Sequence, residues 1–294
     1  MQSANSSLES MTLPLNCLSI DVEGFLESNL ESFGINGAPH AQAREDDEIT
    51  RNLDVTLELL QEAGVRATFF FLGRVARHIP QAVRQVASEG HEIASHGDEH
   101  RRLFGLRPAD FHQQMDRSKK TLEDLAGSAV LGFRAPEFSI TRKTWWALDV
   151  LRDLGFAYDS SIYPIGLHDV YGMAEAEPDI HVLENGIIEF PLPLFSRSAG
   201  GFHSVAVDTS GSTPLSLTRA CVRAANRSGR ACMVYLHPYE IGPVIPRVAG
   251  LSRQRRFRHY HNVAAVPRRL SSMLRQAKFA PAVKVLRTRN LLVA

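Results

Sequence analysis

Short apolar runs alternate with stretches of helical periodicity along most of the chain. The runs have the length of buried strands, and the stretches between them repeat their apolar residues every three or four positions. Strands are predicted at Leu13–Ile20, Val65–Leu72, Glu92–Ser95, Leu131–Phe133, Phe156–Tyr158, Ile187–Phe190 and Ala231–Leu236. Helices are predicted at Asp47–Gly64, Pro80–Gly90, Pro108–Leu125 and Leu215–Asn226. This alternation predicts an α/β fold with a parallel sheet, and the number of strands favours a closed or nearly closed barrel.

Four further segments complete the pattern. The stretch Phe25–Asp46 is rich in Gly, Asn, Ser and acidic residues, which predicts a long loop. Thr141 is predicted to cap a helix whose buried face includes Trp145. Near the end of the chain we predict a helix at Arg268–Gln276 and a final strand at Val283–Leu286.

Polar residues with catalytic or metal-binding chemistry fall at the C-terminal ends of the predicted strands. They are Asp21, Glu23, His96, His100, Arg134, Asp159 and His237. In parallel α/β barrels this end of the sheet is where loops from several strands assemble active sites. The distribution therefore predicts one site built from residues that are far apart in sequence.

Three histidines and three acidic residues lie within the ten residues His91–His100. His91 and His96 are five positions apart, which on a helix turns their rings about 140° from one another, so the zinc-protease motif His-Glu-x-x-His does not fit. His96 and His100 have the spacing His-x-x-x-His with a glycine between them, and we predict that this pair binds a metal. The alternative is two surface histidines in a polar loop. His91 is expected to be structural.

The strand-end residues include the ligands of a catalytic metal. Zinc bound by two histidines and one carboxylate keeps a position open for water. His96, His100 and one of Asp21 or Glu23 supply that set, and the remaining carboxylate would take a proton from the water. An arginine near that base would orient it, and His237 would protonate a leaving group. The predicted chemistry is metal-assisted hydrolysis of an amide or an ester.

Charge is distributed unevenly along the 294 residues. The chain has 33 basic and 32 acidic residues, but no acid follows Glu240, whereas twelve Lys or Arg residues do. Such a basic tail favours an anionic partner, either a substrate that carries phosphate or acidic sugars or an anionic membrane surface. A solvated basic face is the alternative.

The length and the cysteine content of the chain limit the possible domain organisation and cellular compartment. A chain of this length can form one large α/β barrel or two ordinary domains. Cys17, Cys221 and Cys232 are an odd number without metal-ligand spacing, so we expect buried free thiols in a reducing compartment. Residues 1–11 lack the pattern of a signal peptide, and no apolar run approaches 18 residues. A cytoplasmic protein without a spanning helix is therefore expected.

Five segments match, in order, the motifs of a known enzyme family. They are Asp21-Val22-Glu23, His96-Gly97-Asp98-Glu99-His100, Arg134-Ala135-Pro136, Asp159-Ser160-Ser161 and Leu236-His237-Pro238. From about Leu15 to Glu240 the chain therefore resembles the NodB-like polysaccharide deacetylases, carbohydrate esterase family four. The segments Ile245-Pro246-Arg247 and Arg256-Phe257-Arg258-His259-Tyr260 resemble the extension of cytoplasmic deacetylases encoded with exopolysaccharide systems of the exosortase type.

The resemblance implies a distorted (β/α) barrel that removes N-acetyl groups from amino sugars, with zinc or another divalent metal such as Co²⁺ or Ni²⁺. Carried over by position, the metal ligands are Glu23, His96 and His100; the base is Asp21, tethered by Arg134; and the acid is His237, oriented by Asp159. Three parts of the chain follow: a flexible segment 1–12, a catalytic barrel 13–240 and a basic extension 241–294 packed on the barrel.

The sequence departs from the family pattern at two of these motifs. The commonest first motif has adjacent aspartates, whereas this chain has Asp21 and Glu23 separated by one residue. Strand alternation still points the two carboxylates to one side. The third motif usually continues with Tyr after Pro, and here Glu137 follows Pro136. Only a backbone N–H is therefore expected to serve the oxyanion at that point.

Three functions remain compatible with these residues. The first is an N-deacetylase of a polymer, a lipid-linked intermediate or a nucleotide-diphosphate sugar, with no role in nucleic-acid binding. The second is a catalytically inactive carbohydrate-binding barrel, although a binding protein needs neither a base nor an acid. The third is a metal hydrolase of non-sugar linear amides. Glu240 and Arg247 are open to two interpretations, either substrate binding or an ion pair with one another.

Overall fold

The computed structural model of the chain describes residues 14–33, 39–164, 172–192, 194–195, 205–206, 215–242 and 245–293. The segment 1–12, predicted to be flexible, lies outside the described residues. Within the described ranges, strands and helices alternate along the chain as predicted.

The element bounds are as follows. The strands are β1 (Asn16–Val22), β2 (Thr68–Phe71), β3 (Glu92–Ser95), β4 (Gly132–Phe133), β5 (Tyr158–Asp159), β6 (His181–Val182), β7 (Ile188–Glu189), β8 (Leu194–Phe195), β9 (Val205–Ala206), β10 (Met233–Leu236) and β11 (Phe279–Ala280). The helices are α1 (Phe25–Phe33), α2 (Pro39–Ala63), α3 (Gly73–His78), α4 (Pro80–Ser88), α5 (Pro108–Ala126), α6 (Trp146–Asp153), α7 (Leu215–Arg227), α8 (Pro238–Ile241), α9 (Arg253–Tyr260), α10 (Val266–Leu274) and α11 (Ala282–Thr288). Short 3₁₀ turns lie at Leu103–Gly105, Pro136–Phe138, Arg142–Thr144 and Val263–Ala265.

One mixed sheet organises the chain. In the described residues its strand order is β10-β1-β2-β3-β4-β5-β7-β6, and β11 also pairs with the start of β1. The pairs are parallel except for β6 and β7, which are antiparallel. The sheet curls into a distorted (β/α) barrel with helices packed against it, which confirms the predicted fold class. Strands β8 and β9 form a separate antiparallel pair.

Alternate residues of β1 face two different cores. Leu18 and Ile20 join the large apolar cluster that includes the helices. Cys17 joins a smaller cluster with Phe70 on the other face of the sheet. Because successive strand residues point to opposite faces, Asp21 lies on the same face as Cys17, the interior of the barrel.

The parallel registers bring the ends of neighbouring strands together. Ile20 of β1 pairs with Leu236 of β10, so the residues that follow them, Asp21 and His237, lie side by side. Ser95 of β3 likewise pairs with Phe133 of β4, just before His96 and Arg134. This end of the sheet therefore collects the side chains that the sequence analysis singled out.

The predicted loop Phe25–Asp46 is wrong, because α1 and the start of α2 lie within it. The Glu45 carboxylate accepts hydrogen bonds from the backbone N–H groups of Leu26 and Glu27, at 2.7 and 2.9 Å, and so satisfies the first turn of α1. Arg74 in turn forms ion pairs with Glu27 and Asp46, which offsets the acidic charge of both helices. These contacts join segments far apart in sequence, which local composition does not reveal.

The predicted final strand Val283–Leu286 is also wrong, because these residues belong to α11. Ala282, Val285 and Leu286 are buried, and their spacing of three and four residues is that of a helix face. The short strand β11 precedes the helix and ends at Pro281. Two valines in a seven-residue segment gave a misleading β signal.

The predicted burial of Trp145 is wrong as well. Its side chain is 39% exposed, whereas Trp146 packs against Phe111 with ring centroids 5.5 Å apart. The helix begins at Trp146, one turn later than predicted from Thr141, which caps the preceding 3₁₀ turn. The shift in helix start changes which of the two tryptophans faces the core.

The cysteines agree with the sequence analysis. Cys17, Cys221 and Cys232 are free and buried. Among the described residues, no helix combines the length and the apolar character needed to cross a membrane. The cytoplasmic location stays a prediction.

Candidate active site and metal centre

Glu23 lies at the centre of a group of histidines at the C-terminal end of β1. Its side chain is 2% exposed, and its Oε2 atom is 3.1 Å from Nε2 of His96 and 3.0 Å from Nε2 of His100. Its Oε1 atom is 3.2 Å from Nε2 of His237. Burial raises the pKa of Glu23, but the charge of His100 and the hydrogen bonds from all three imidazoles hold it well below its usual range. Glu23 is therefore a carboxylate surrounded by nitrogen atoms that can bind a metal.

The ring of His96 is oriented by a backbone contact. Its Nδ1 atom donates to the carbonyl oxygen of Arg134 at 2.9 Å. In the neutral imidazole this leaves Nε2 with a free lone pair directed toward Glu23. A backbone carbonyl that holds one nitrogen of a histidine while the other faces a metal is a common arrangement in protein metal sites.

These residues fit a divalent metal. The ligand atoms of Glu23, His96 and His100 all lie within 4.8 Å of one another. Two imidazoles and one carboxylate form the three-ligand set that leaves a coordination position for a reactant. Of the seven predicted site residues, the three predicted metal ligands form a group that could hold a metal ion.

Asp21 and Arg134 form a buried ion pair beside Glu23. The Nη1 atom of Arg134 donates to Oδ1 of Asp21 at 2.6 Å and to Oγ of Ser19 at 3.0 Å. The guanidinium is fully buried and lies 4.2 Å from the centroid of the Phe70 ring. Its other nitrogens donate to the carbonyl and the hydroxyl of Ser160. Arg134 therefore fixes one oxygen of Asp21, whose Oδ2 atom has no hydrogen-bond partner in the described part of the chain.

His237 lies on the strand next to Asp21, at the junction of β10 and α8. Its Nδ1 atom is 3.0 Å from Oε2 of Glu240, and its ring stacks on Tyr239 with centroids 4.7 Å apart and planes 8° from parallel. Burial lowers the pKa of His237, but the hydrogen bonds to Glu23 and Glu240 raise it well above its usual range. Sequence reasoning left the role of Glu240 open; the spacing His-x-x-Glu at the start of a helix was the available signal.

Asp159 does not contact His237, so the orienting contact predicted for it is absent from the described residues. Its carboxylate accepts from the hydroxyl of Ser161 at 2.6 Å and from the backbone N–H of Ser161 at 3.1 Å. It also shares a hydrogen bond with Glu189, its neighbour in the β5–β7 ladder. Burial raises the pKa of Asp159 to about 6, and burial together with the charge of Asp159 raises that of Glu189 well above its usual range.

The turn after Arg134 has an unusual backbone conformation. Glu137 and Phe138 have φ values of 49° and 51°, in the left-handed region that residues other than glycine rarely adopt. The N–H of Glu137 has no acceptor in the parts of the chain that the structure describes, whereas that of Phe138 donates to Ala135. The Glu137 carboxylate is held by Arg102 at 2.5 Å. Strain of this kind is typical of functional turns.

The contacts of His91, Glu240 and Arg247 bear on the interpretations given to these residues. His91 accepts from the N–H of Ala67 at 3.1 Å and packs against Phe69, so it is structural as predicted. Glu240 contacts His237, whereas the guanidinium of Arg247 lies 4.8 Å from the centroid of the Tyr260 ring. Glu240 and Arg247 therefore do not form an ion pair with one another in the described residues.

Comparison with known proteins agrees with this geometry. The family described as "Polysaccharide deacetylase" matches residues 45–158, and the "Domain of unknown function (DUF3473)" matches residues 160–287. The peptidoglycan-N-acetylglucosamine deacetylase of Bacillus cereus is 35% identical over 80 residues, which are 27% of this chain and 29% of that protein. The chitooligosaccharide deacetylase of Azorhizobium caulinodans is 36% identical over 80 residues, 27% of this chain and 38% of that protein. The matches thus span less than half the length of these relatives.

A solved structure supports the fold over nearly the whole chain. A Mycobacterium smegmatis protein assigned to the polysaccharide deacetylases superposes with a TM-score of 0.64 at 22% identity, over 99% of this chain and 96% of that one. At this identity the likeness shows the fold alone. The two family matches and the five ordered motifs add the sequence evidence. Residues 45–158 therefore match the polysaccharide deacetylases, and the DUF3473 match at residues 160–287 includes the fifth motif, around His237.

Proposed function

We propose that the protein is a metal-dependent hydrolase that removes N-acetyl groups from the amino sugars of a polysaccharide or of its biosynthetic intermediate. The observation that carries the proposal is the convergence of three metal-ligand side chains with a buried Asp–Arg pair and a histidine at one end of the barrel. The relatives named as deacetylases of peptidoglycan and of chitooligosaccharides share the N-acetylated amino sugar as a substrate class.

In this proposal Glu23, His96 and His100 hold the metal, with zinc as the first candidate because it suits this ligand set. When bound, the metal supplies Lewis acidity to the amide carbonyl and to the attacking water. Every other task falls to the chain's own residues.

Two groups would handle the protons of the reaction. Asp21 takes a proton from the attacking water with its Oδ2 atom, since Arg134 already occupies Oδ1. His237 gives a proton from Nε2 to the departing amine, since its Nδ1 atom faces Glu240. The free N–H of Glu137 donates to the developing oxyanion.

The basic extension suggests an anionic group on the substrate, such as a diphosphate link to a lipid or nucleotide. Arg289 pairs with Asp179 at 3.3 Å, but Arg247, Arg253 and Arg255 have no carboxylate partner in the described residues. The same charge would also favour contact with an anionic membrane surface.

Acetate release from a panel of substrates tests the proposal. The panel holds N-acetylated oligosaccharides, diphosphate-linked N-acetyl amino sugars and linear non-sugar amides, each assayed with the metal content of the protein measured. We expect release from the amino sugars. Release from the linear amides alone would favour the amide hydrolase. Sugar binding without release would favour the inactive binding barrel, against which the presence of both Asp21 and His237 argues.

A further inference from the structure

We propose that Glu240 is the positioning residue that fixes the ring of His237, in place of the Asp159 carboxylate. The inference rests on the proposed function, because it concerns how the proton reaches the leaving amine. Glu240 would hold the hydrogen of His237 at Nδ1 and leave Nε2 directed at the reacting atoms.

The contacts of Glu240 are specific to His237. Its Oε2 atom is 3.0 Å from Nδ1 of His237 and accepts the backbone N–H of the same residue at 2.8 Å. A carboxylate can only accept hydrogen bonds, so the hydrogen in the first contact belongs to Nδ1. Because Glu240 is the third residue of α8, the two residues meet within one helical turn.

Other neighbours hold the plane of the ring but do not select its nitrogen atoms. Tyr239 stacks on one face at 4.7 Å, and Tyr235 approaches edge-on with centroids 5.8 Å apart. Rotation of the imidazole by 180° about its bond to Cβ would keep both aromatic contacts. It would lose the bond to Glu240 and move Nε2 away from Glu23, which lies 3.2 Å from it. Glu240 is therefore the contact that decides which nitrogen faces the site.

Asp159 is occupied elsewhere in the barrel. Its two oxygens accept from the hydroxyl and the N–H of Ser161, and it shares a hydrogen bond with Glu189. In the sheet order, β5 is separated from β10 by four strands. Glu240, three residues after His237, thus takes the orienting role that had been predicted for Asp159, which lies on a distant strand.

Substrates with different leaving groups separate positioning of an acid from general structural support. Glu240→Ala should lower the turnover of an N-acetyl amino sugar by about 10–100-fold, the usual effect of removing a residue that orients a catalytic group. An activated aryl ester should lose much less, because its leaving group needs little protonation. Glu240→Gln should recover part of the amide activity, since its amide oxygen can accept both hydrogen bonds. Glu58→Ala, at an exposed position of α2, is the matched control.

A second measurement does not need turnover. In protein with ¹⁵N-labelled histidine, the His237 Nδ1–H bonded to Glu240 should give a downfield proton signal. His237→Ala identifies the signal, Glu240→Ala should remove it, and Glu58→Ala should keep it. Persistence of the signal in Glu240→Ala, or equal losses with the amide and the ester, would overturn the inference. If the wild type releases no acetate from any substrate, the proposed function fails, and the signal alone still decides whether Glu240 orients the ring.

Discussion

Each end of the barrel holds a glutamate whose carboxylate contacts several polar groups, and these groups differ between the two ends. Glu92, at the start of β3, accepts from the hydroxyls of Thr68 and Tyr158 at 2.7 and 2.8 Å and from the N–H of Val283 at 3.1 Å. These donors come from β2, β5 and α11. The carboxylate of Glu92 therefore connects three elements, and none of its donors is an imidazole nitrogen that could bind a metal.

Glu23, at the opposite end, faces the Nε2 atoms of three histidines instead. An imidazole nitrogen can give up its hydrogen bond to bind a metal, or it can transfer a proton near neutral pH. A hydroxyl or a backbone N–H that holds two elements together does neither at that pH. The hydrogen-bond donors around a carboxylate, and not its burial, therefore indicate whether it serves the active site or the stability of the fold. Substitutions at the Glu23 end should change metal content and turnover, and those at the Glu92 end should change stability.

The largest effect is expected from removal of a metal ligand. His96→Ala and His100→Ala should each reduce bound metal from about one ion per chain to a small fraction, with turnover lost in parallel, because two protein ligands hold a catalytic metal poorly. Elemental analysis and circular dichroism provide the measurements. His91→Ala is the control, since His91 contacts Ala67 and Phe69 rather than the site. Full metal content in both site variants would refute the assignment.

Removal of the proposed base should leave the metal in place. Asp21→Asn keeps the shape of the side chain but cannot accept the proton, so turnover should fall by about 10²–10⁴-fold, the usual contribution of a general base. Metal content should stay near that of the wild type, whereas thermal stability should fall, because the buried guanidinium of Arg134 loses its counter-charge. Should Asp21→Asn lose its metal while Glu23→Gln retains it, the two carboxylates have the opposite roles.

At the other end of the barrel, Glu92→Ala should leave turnover intact and lower stability. It leaves the hydroxyls of Thr68 and Tyr158 and the N–H of Val283 without their acceptor, which costs about 1–3 kcal/mol for an unsatisfied buried group. Denaturant unfolding measures the change in free energy of unfolding. If Glu92→Ala loses turnover while its stability is unchanged, Glu92 has a catalytic role and not a structural one.

The same residue predicts a dependence of stability on pH. Burial raises the pKa of Glu92 above its usual range, so at a pH between the unfolded-state and folded-state pKa values the folded protein keeps a proton that the unfolded chain has lost. The free energy of unfolding contributed by Glu92 therefore falls as the pH rises through the folded-state pKa. Glu92→Gln cannot titrate, and the difference between its unfolding profile and that of the wild type should show this slope.

The sequence predicts the Glu23 end of the barrel better than its surroundings. Asp21, His96 and Arg134 could be placed because strand periodicity locates the ends of strands and parallel strands end at one edge. The contact between His237 and Glu240 could not, because it depends on the rotamer of the histidine. The pairing of Asp159 with Glu189 depends likewise on the register of two strands of two residues each.

Helix α1 and helix α11 were mispredicted for a related physical reason. The first turn of α1 is satisfied by the side chain of Glu45, which belongs to the next helix. The first turn of α11 is satisfied by Thr68 and Glu92, which lie about two hundred positions earlier in the chain. Propensity and local pattern carry no information on such distant acceptors.

The smallest effect is expected from the basic extension. Arg253, Arg255 and Arg256 are exposed on α9, and an anionic ligand should lose about 1 kcal/mol or less for each charge removed, as for basic residues at an anionic surface. Replacement of all three by Gln should raise KM for a diphosphate-linked N-acetyl amino sugar at low salt and leave a neutral oligosaccharide unaffected. The difference should shrink at 0.15 M salt, where the screening length is about 8 Å.

The matched control for this experiment uses basic residues of the same extension. Lys284 and Arg287 are exposed on α11, whose first turn binds the Glu92 end of the barrel, so Lys284→Gln with Arg287→Gln should not change KM for either substrate. Binding to anionic vesicles, measured with the same two sets of variants, tests the membrane as the source of negative charge. If the α9 and α11 variants do not differ in KM for the diphosphate sugar or in vesicle binding, or if binding is insensitive to salt, the extension is a solvated basic face. Its charge then has no part in substrate selection.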